Sequence, residues 1–199
     1  MPNQGIQESI KFGIFWVTVS TIFIKLLSLI SQIVLGYVLS VETFAIFALV
    51  NYVLSFFVNF YNQGIGKYLI QKQNKRFHNF YNLYKDFSLV NSLIGILFAC
   101  IFAILFGVIF NEPRVTPLII ITSLSFPFIA QGNMIITELS HKLRFKEINV
   151  LALIKQAFYS ILLVIFAFSG MDIYTMCLSF LLSSVIYYIV LISFKKKNF

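Results

Sequence analysis

Four stretches of the chain stay free of charge for longer than a bilayer is thick. Residues 43–66, 87–111, 115–137 and 173–194 hold 24, 25, 23 and 22 residues without one Asp, Glu, Lys or Arg. A spanning helix needs about 20 predominantly apolar residues to cross roughly 30 Å of hydrocarbon. Backbone groups in lipid must bond within their own segment, so each stretch is expected to be an α-helix. Two more stretches qualify but for one cation each: residues 12–41 contain only Lys25, and residues 148–171 only Lys155. The expectation is an all-α integral membrane protein with six transmembrane helices. They cover about 12–38, 43–66, 87–110, 115–137, 148–169 and 173–194, a single transmembrane domain over residues 1–199.

Composition excludes the soluble alternative. Of 199 residues 59% are hydrophobic and 11% charged, where a soluble domain carries about 25% charged. The first span is too long for the core of a cleaved signal peptide, and no small-residue cleavage site follows it. Cys100 and Cys177 fall inside expected spans, without the spacing of a disulfide framework or a metal site, and read as small packing residues. No metal or cofactor is expected.

The basic residues orient the chain. With six spans both termini share one side. That side holds Lys11, the group Lys67, Lys72, Lys75, Arg76 and Lys85, the group Lys142, Arg144 and Lys146, and Lys195, Lys196 and Lys197. The other side holds only Arg114. Positive residues stay with the cytoplasm, so both termini are expected there, with a multi-pass chain in a bacterial inner membrane. The net charge of +8 is then mostly a topology signal whose partners are anionic lipid headgroups, and nucleic acid is not expected. The far-side loops, around 39–43, 111–117 and 169–173, leave no room for a soluble catalytic domain. The segment from Lys67 to Lys85 is basic and aromatic and reads as an interfacial amphipathic helix. His78 within it has no acidic or cysteine neighbour and reads as a solvated histidine.

A charged group at mid-membrane costs about 2.5–3.5 kcal/mol on insertion scales, and is kept where a cavity or a partner compensates. Lys25 lies about 13 residues into the first span, roughly 20 Å along a helix, too deep for easy snorkelling. Lys155 lies about 8 residues past Glu147, roughly 12 Å, and can reach the interface. Asn62 and Gln63 should face other helices or water, and Gly64 and Gly66 allow a bend or a close crossing. Gln131, Asn133 and Asn91 are polar residues within spans, suited to interhelical hydrogen bonds or to a cavity wall. Pro127 falls near the middle of the fourth span and should kink it, with a hinge as the functional version. No carboxylate pair lies at mid-membrane to make a proton relay.

Several of these residues fall in an ordered series. Ser40-Val41-Glu42-Thr43-Phe44-Ala45-Ile46-Phe47-Ala48-Leu49 opens the second span, Asn62-Gln63-Gly64-Ile65-Gly66 and Leu69-Ile70-Gln71-Lys72 close it, and Leu143-Arg144-Phe145-Lys146 precedes the fifth. In order and spacing this resembles the Wzx-type polysaccharide flippases of the MOP superfamily, relatives of the MATE exporters. Where members of that family often carry an Asp, this chain has Asn62. The resemblance implies a non-enzymatic transporter that moves a lipid-linked oligosaccharide to the outer leaflet for surface polysaccharide such as O-antigen or lipopolysaccharide. Its cargo would be an isoprenoid diphosphate, with Lys25 and Lys155 as cations for the phosphates and Asn62, Gln63, Gln131 and Asn133 along the cavity. The family has about twice as many spans, so this chain corresponds to one six-helix lobe, the N-terminal one. A second lobe would come from homodimerisation or a separate chain, unless the gene is truncated. Three rivals remain: a drug or small-cation exporter of the same superfamily, a membrane enzyme of glycan assembly, and a non-transporting fragment or assembly subunit.

Overall fold

The structure, a computed structural model, describes residues 3–61 and 74–198, with side chains over 13–57 and 81–197. Among the described residues seven helices form in this order: α1 (Asn3–Val38), α2 (Val41–Tyr61), α3 (Asn74–Ile109), α4 (Val115–Ser123), α5 (Phe126–His141), α6 (Phe145–Phe168) and α7 (Tyr174–Asn198). No strand occurs among the described residues. Among the described residues five segments are long and apolar enough to cross a membrane: Gly13–Val38, Tyr81–Ile109, Val115–His141, Phe145–Phe168 and Tyr174–Lys197. The 21 residues of α2 form a sixth apolar helix. The protein is thus all-helical, and its apolar helices suggest a multi-pass membrane protein. Asn62, Gln63, Gly64 and Gly66 lie outside the described residues.

The run 115–137 is expected to be one kinked helix, and the break lies just before the proline. α4 ends at Ser123, Leu124 and Ser125 keep helical torsions (φ −60° and −74°), and Pro127 falls in the first turn of α5. Pro127 has no N–H to give the Ser123 carbonyl and its ring crowds that oxygen. Ser125 turns its Oγ back to the Thr122 carbonyl at 2.6 Å, which bends the chain further. At the other extreme, α3 is one continuous helix of 36 residues, about 54 Å long. It runs through Lys85 and Asp86, because neither Gly nor Pro interrupts it before Gly95.

The α4–α5 pair is the hub: α2, α3 and α7 pack on α4, and α3, α6 and α7 on α5. Ile46, Val50, Val53, Leu54 and Phe57 of α2 meet Val115, Leu118 and Ile119 of α4 and Phe126 of α5 in the main core. Small residues set how closely helices approach. Gly95, Ala99, Ala103 and Gly107 recur every four residues along one face of α3, the spacing that lets membrane helices touch closely. A Cβ built on Gly107 would stand 2.5 Å from Thr116 Oγ1, and that hydroxyl already donates to the Ala103 carbonyl at 3.1 Å. α1 is peripheral and packs mainly on α6. Gly13, Ser20, Ser31 and Leu35 form its buried seam, and Ser20 Oγ lies 3.0 Å from Asn149 Oδ1 of α6.

Three helix ends close in the same way. After α3, α5 and α6 the chain steps into the left-handed region at Asn111 (φ 53°), Leu143 (φ 55°) and Gly170 (φ 73°). The amide of the following residue then reaches five residues back: Glu112 to Gly107 at 3.1 Å, Arg144 to Leu139 at 3.0 Å, Met171 to Phe166 at 3.4 Å. Glycine or asparagine normally fills this position, so Leu143 is the strained member. Ser40 caps α2 by accepting from the Thr43 amide at 3.2 Å, and Thr43 Oγ1 donates to Asp172 at 2.9 Å. Arg114 bonds both Glu42 and Glu112. Those bonds, Glu42 first, hold the guanidinium above its ordinary pKa. Together with the Thr43–Asp172 bond they tie the three turns at the end opposite the lysines.

Candidate functional site

α1 carries a second stripe beside its buried seam. Thr18, Thr21, Lys25, Ser28 and Gln32 alternate at spacings of three and four, so they line one face of the helix. Thr18, Thr21, Lys25 and Gln32 are exposed and Ser28 is half-buried. The two threonines satisfy their hydroxyls on carbonyls one turn back, Ile14 at 3.0 Å and Val17 at 2.7 Å. Lys25 and Gln32 have no such outlet, and neither has a side-chain partner among the described residues. Both lie inside the span Gly13–Val38. An unpaired ammonium and amide facing lipid would be costly, so this face is built to meet water, a ligand or other protein.

The lower part of the stripe opens into a cleft of about 250 Å³ between α1 and α2. Ser28, Ser31 and Gln32 line one wall, Asn51 of α2 the other, and Tyr159 of α6 the back, over an apolar floor that includes Leu35 and Met176. Ser31 is satisfied by the Leu27 carbonyl at 2.8 Å. The Asn51 amide is half-buried and, like Gln32, has no partner among the described residues. The cleft therefore presents hydroxyls and amides with unused bonding capacity over an apolar base, with Lys25 one turn along the same stripe. That chemistry suits a polar, hydroxyl-rich or anionic solute. Among the described residues that line it there is no carboxylate, histidine or cysteine. Among the described residues no group of three or more His, Cys, Asp or Glu side chains is placed to hold a metal ion.

The other residues singled out by sequence lie elsewhere. Lys155 of α6 is half-buried and holds its ammonium 5.3 Å from the centre of the Tyr187 ring of α7, a cation–π contact that compensates its charge within the helix pair. Gln131 of α5 is buried and donates from Nε2 to the Lys85 carbonyl of α3 at 3.0 Å. Asn133 is exposed on α5, and Asn91 lines an apolar groove between α2 and α3. Lys25, Lys155 and Gln131 thus stand on three different helices, each with its own neighbours. Ser28, Gln32 and Asn51 are absent from the sequence-based candidates. The heptad-like spacing from Thr18 to Gln32 was the available signal for the first two.

Gln131 leads to a second polar region, at the lysine-rich end. A cavity of about 510 Å³ lies between α3, α5 and α7. Beside it Glu138 receives Lys195 at 2.8 Å and Lys142 at 3.2 Å, while Lys195 also reaches Tyr81 Oη at 3.2 Å and stacks over its ring.

Residues 34–198 match the model of a family described as polysaccharide biosynthesis protein. The chain belongs to that family. No curated protein and no solved structure matches it. In this polysaccharide biosynthesis protein the match takes in α2 to α7 and the four motif segments, Ser40–Leu49, Asn62–Gly66, Leu69–Lys72 and Leu143–Lys146, but begins after Lys25 and Gln32.

Proposed function

We propose that this polysaccharide biosynthesis protein is a membrane flippase component that moves a lipid-linked oligosaccharide from the inner to the outer leaflet of the cell membrane. The observation that carries the reading is the uncovered polar stripe of α1 with Lys25 inside a span. In a family whose work is polysaccharide assembly, a polar membrane-depth path has an evident cargo. That cargo is a glycan rich in hydroxyls joined through a diphosphate to an isoprenoid. Lys25 offers the diphosphate a compact point charge. Ser28, Gln32 and Asn51 offer the sugar hydroxyls their unused donors and acceptors, while the isoprenoid stays in the bilayer. The lysine-rich end faces the cytoplasm, with both termini there. No bond is made or broken, so the protein is not an enzyme. The open face of α1 is closed by a second helical lobe, and access alternates as the two lobes rock.

A deletion in the host tests this. Loss of the gene should stop surface polysaccharide and leave lipid-linked glycan accumulating on the cytoplasmic leaflet. A Lys25→Ala copy should fail to restore it while accumulating in the membrane at wild-type level. Normal surface polysaccharide in the deletion strain would refute the reading.

A further inference from the structure

The cavity at the lysine-rich end plays no part in the α1–α2 cleft. We infer that it is a separate binding site for a phosphate-bearing anion. On the flippase reading, on which this assignment of the ligand rests, the anion is the diphosphate of the lipid-linked cargo as it docks at the cytoplasmic leaflet.

Three lysines are among the residues that line the cavity, Lys85 from α3 and Lys195 and Lys196 from α7, and among the described residues no Asp or Glu does. Glu138 stands beside it, already shared between Lys195 and Lys142. Asp86, next to Lys85 in sequence, is exposed. Among the described residues, counting Lys85, Lys142, Lys195 and Lys196 against Glu138 and Asp86 leaves two positive charges in excess around this half-open cavity.

The neutral lining fits the same ligand. Gln131 is 5% exposed, and its bond to the Lys85 carbonyl fixes the amide at the cavity wall with a second N–H to give. Tyr81, Tyr188, Ile135 and Ile192 complete the lining, with two phenols beside two apolar side chains. Lysines in the last turn of α7 also oppose its helix dipole. That role needs neither a cavity nor a buried amide, nor Lys85 approaching from a different helix. Lys195 is held by Glu138 and Tyr81, so Lys85 and Lys196 are the two ammoniums left to follow the ligand.

The test uses the full chain in phosphatidylcholine nanodiscs and three probes: inorganic pyrophosphate, a polyprenyl diphosphate, and phosphatidylglycerol added to the discs. Lys85→Gln combined with Lys196→Gln leaves the Lys195–Glu138–Tyr81 contacts intact, so the fold should hold. This variant should bind the polyprenyl diphosphate about tenfold or more weakly, the loss of charge-assisted bonds. Lys146→Gln, at the same end over Trp16, should not change it. Displacement by inorganic pyrophosphate would show that the anion alone suffices. Displacement by phosphatidylglycerol would make an ordinary headgroup the occupant, still on a phosphate site. Equal binding of all three probes by the wild type and the double variant would overturn the inference. A leaflet-translocation assay on the same preparations keeps the two readings apart. Lysine-dependent binding without translocation removes the flippase and keeps the site, and translocation with lysine-independent binding does the reverse.

Discussion

Lys25 and Lys155 show how one residue type in two apolar runs reaches two different settings. Lys155 finds an aromatic ring on the neighbouring helix. Lys25 finds no partner among the described residues. Truncating Lys25 to Ala should therefore leave the melting temperature unchanged, or raise it slightly, while glycolipid translocation falls by about tenfold or more, the scale of one lost charge-assisted contact. Lys25→Arg should keep most of the activity, and melting curves in detergent alongside a leaflet assay check both. Glu138 behaves oppositely. Its side chain is 14% exposed and joins Lys195 to Lys142, so Glu138→Gln should cost about 1–2 kcal/mol, reduced from a buried pair because Lys195 is partly solvated. A drop in melting temperature without loss at the α1–α2 cleft is the expected readout. At this scale the sequence shows Lys25 plainly, as one cation in a long apolar run. It does not show Gln131's partner, which is a backbone carbonyl on another helix. Nor does it separate Asn51 from any packing amide, since only the placement of α2 against α1 and α6 leaves that amide open.

Charge-free runs locate the helices because a lipid-spanning backbone has no other way to satisfy itself. The same argument is silent on what happens within a run. The break at Leu124 and Ser125 depends on Ser125 turning its hydroxyl to Thr122, a local choice added to the proline. The basic segment expected to lie flat at the interface continues as α3 from Asn74 onward, because nothing in its sequence ends a helix. Element packing yields two tests. Gly107→Ala places a methyl 2.5 Å from Thr116 Oγ1. Thr116 must then give up its bond to Ala103 or α3 must back away from α4, at a cost of about 1–3 kcal/mol. Leu143→Gly should act the other way. Leu143 is 60% exposed at φ 55°, so relieving the left-handed strain should stabilise the α5–α6 turn by about 0.5–1 kcal/mol, net of glycine's entropy. Thermal unfolding of the two variants beside the wild type reads both signs.

At the scale of the molecule the helices form a hub around α4 and α5 with α1 set apart on α6. The best-built core faces inward, and the polar stripe of α1 faces out, which is the reverse of a finished membrane surface. A second lobe against that stripe removes the contradiction. The purified protein should accordingly behave in nanodiscs as a stable dimer or as a stoichiometric complex with another chain, by light scattering corrected for lipid. A single-copy particle would leave the α1 face without its expected cover. The most direct measurement is leaflet exchange of a fluorescent lipid-linked oligosaccharide in proteoliposomes, read by quenching from outside. Wild-type protein should expose the internal pool to the quencher and Lys25→Ala should hold it back, at equal protein content and equal melting temperature. Exchange at the rate of protein-free liposomes in both, or equal exchange by both proteins, would contradict a flippase that works through the α1 stripe.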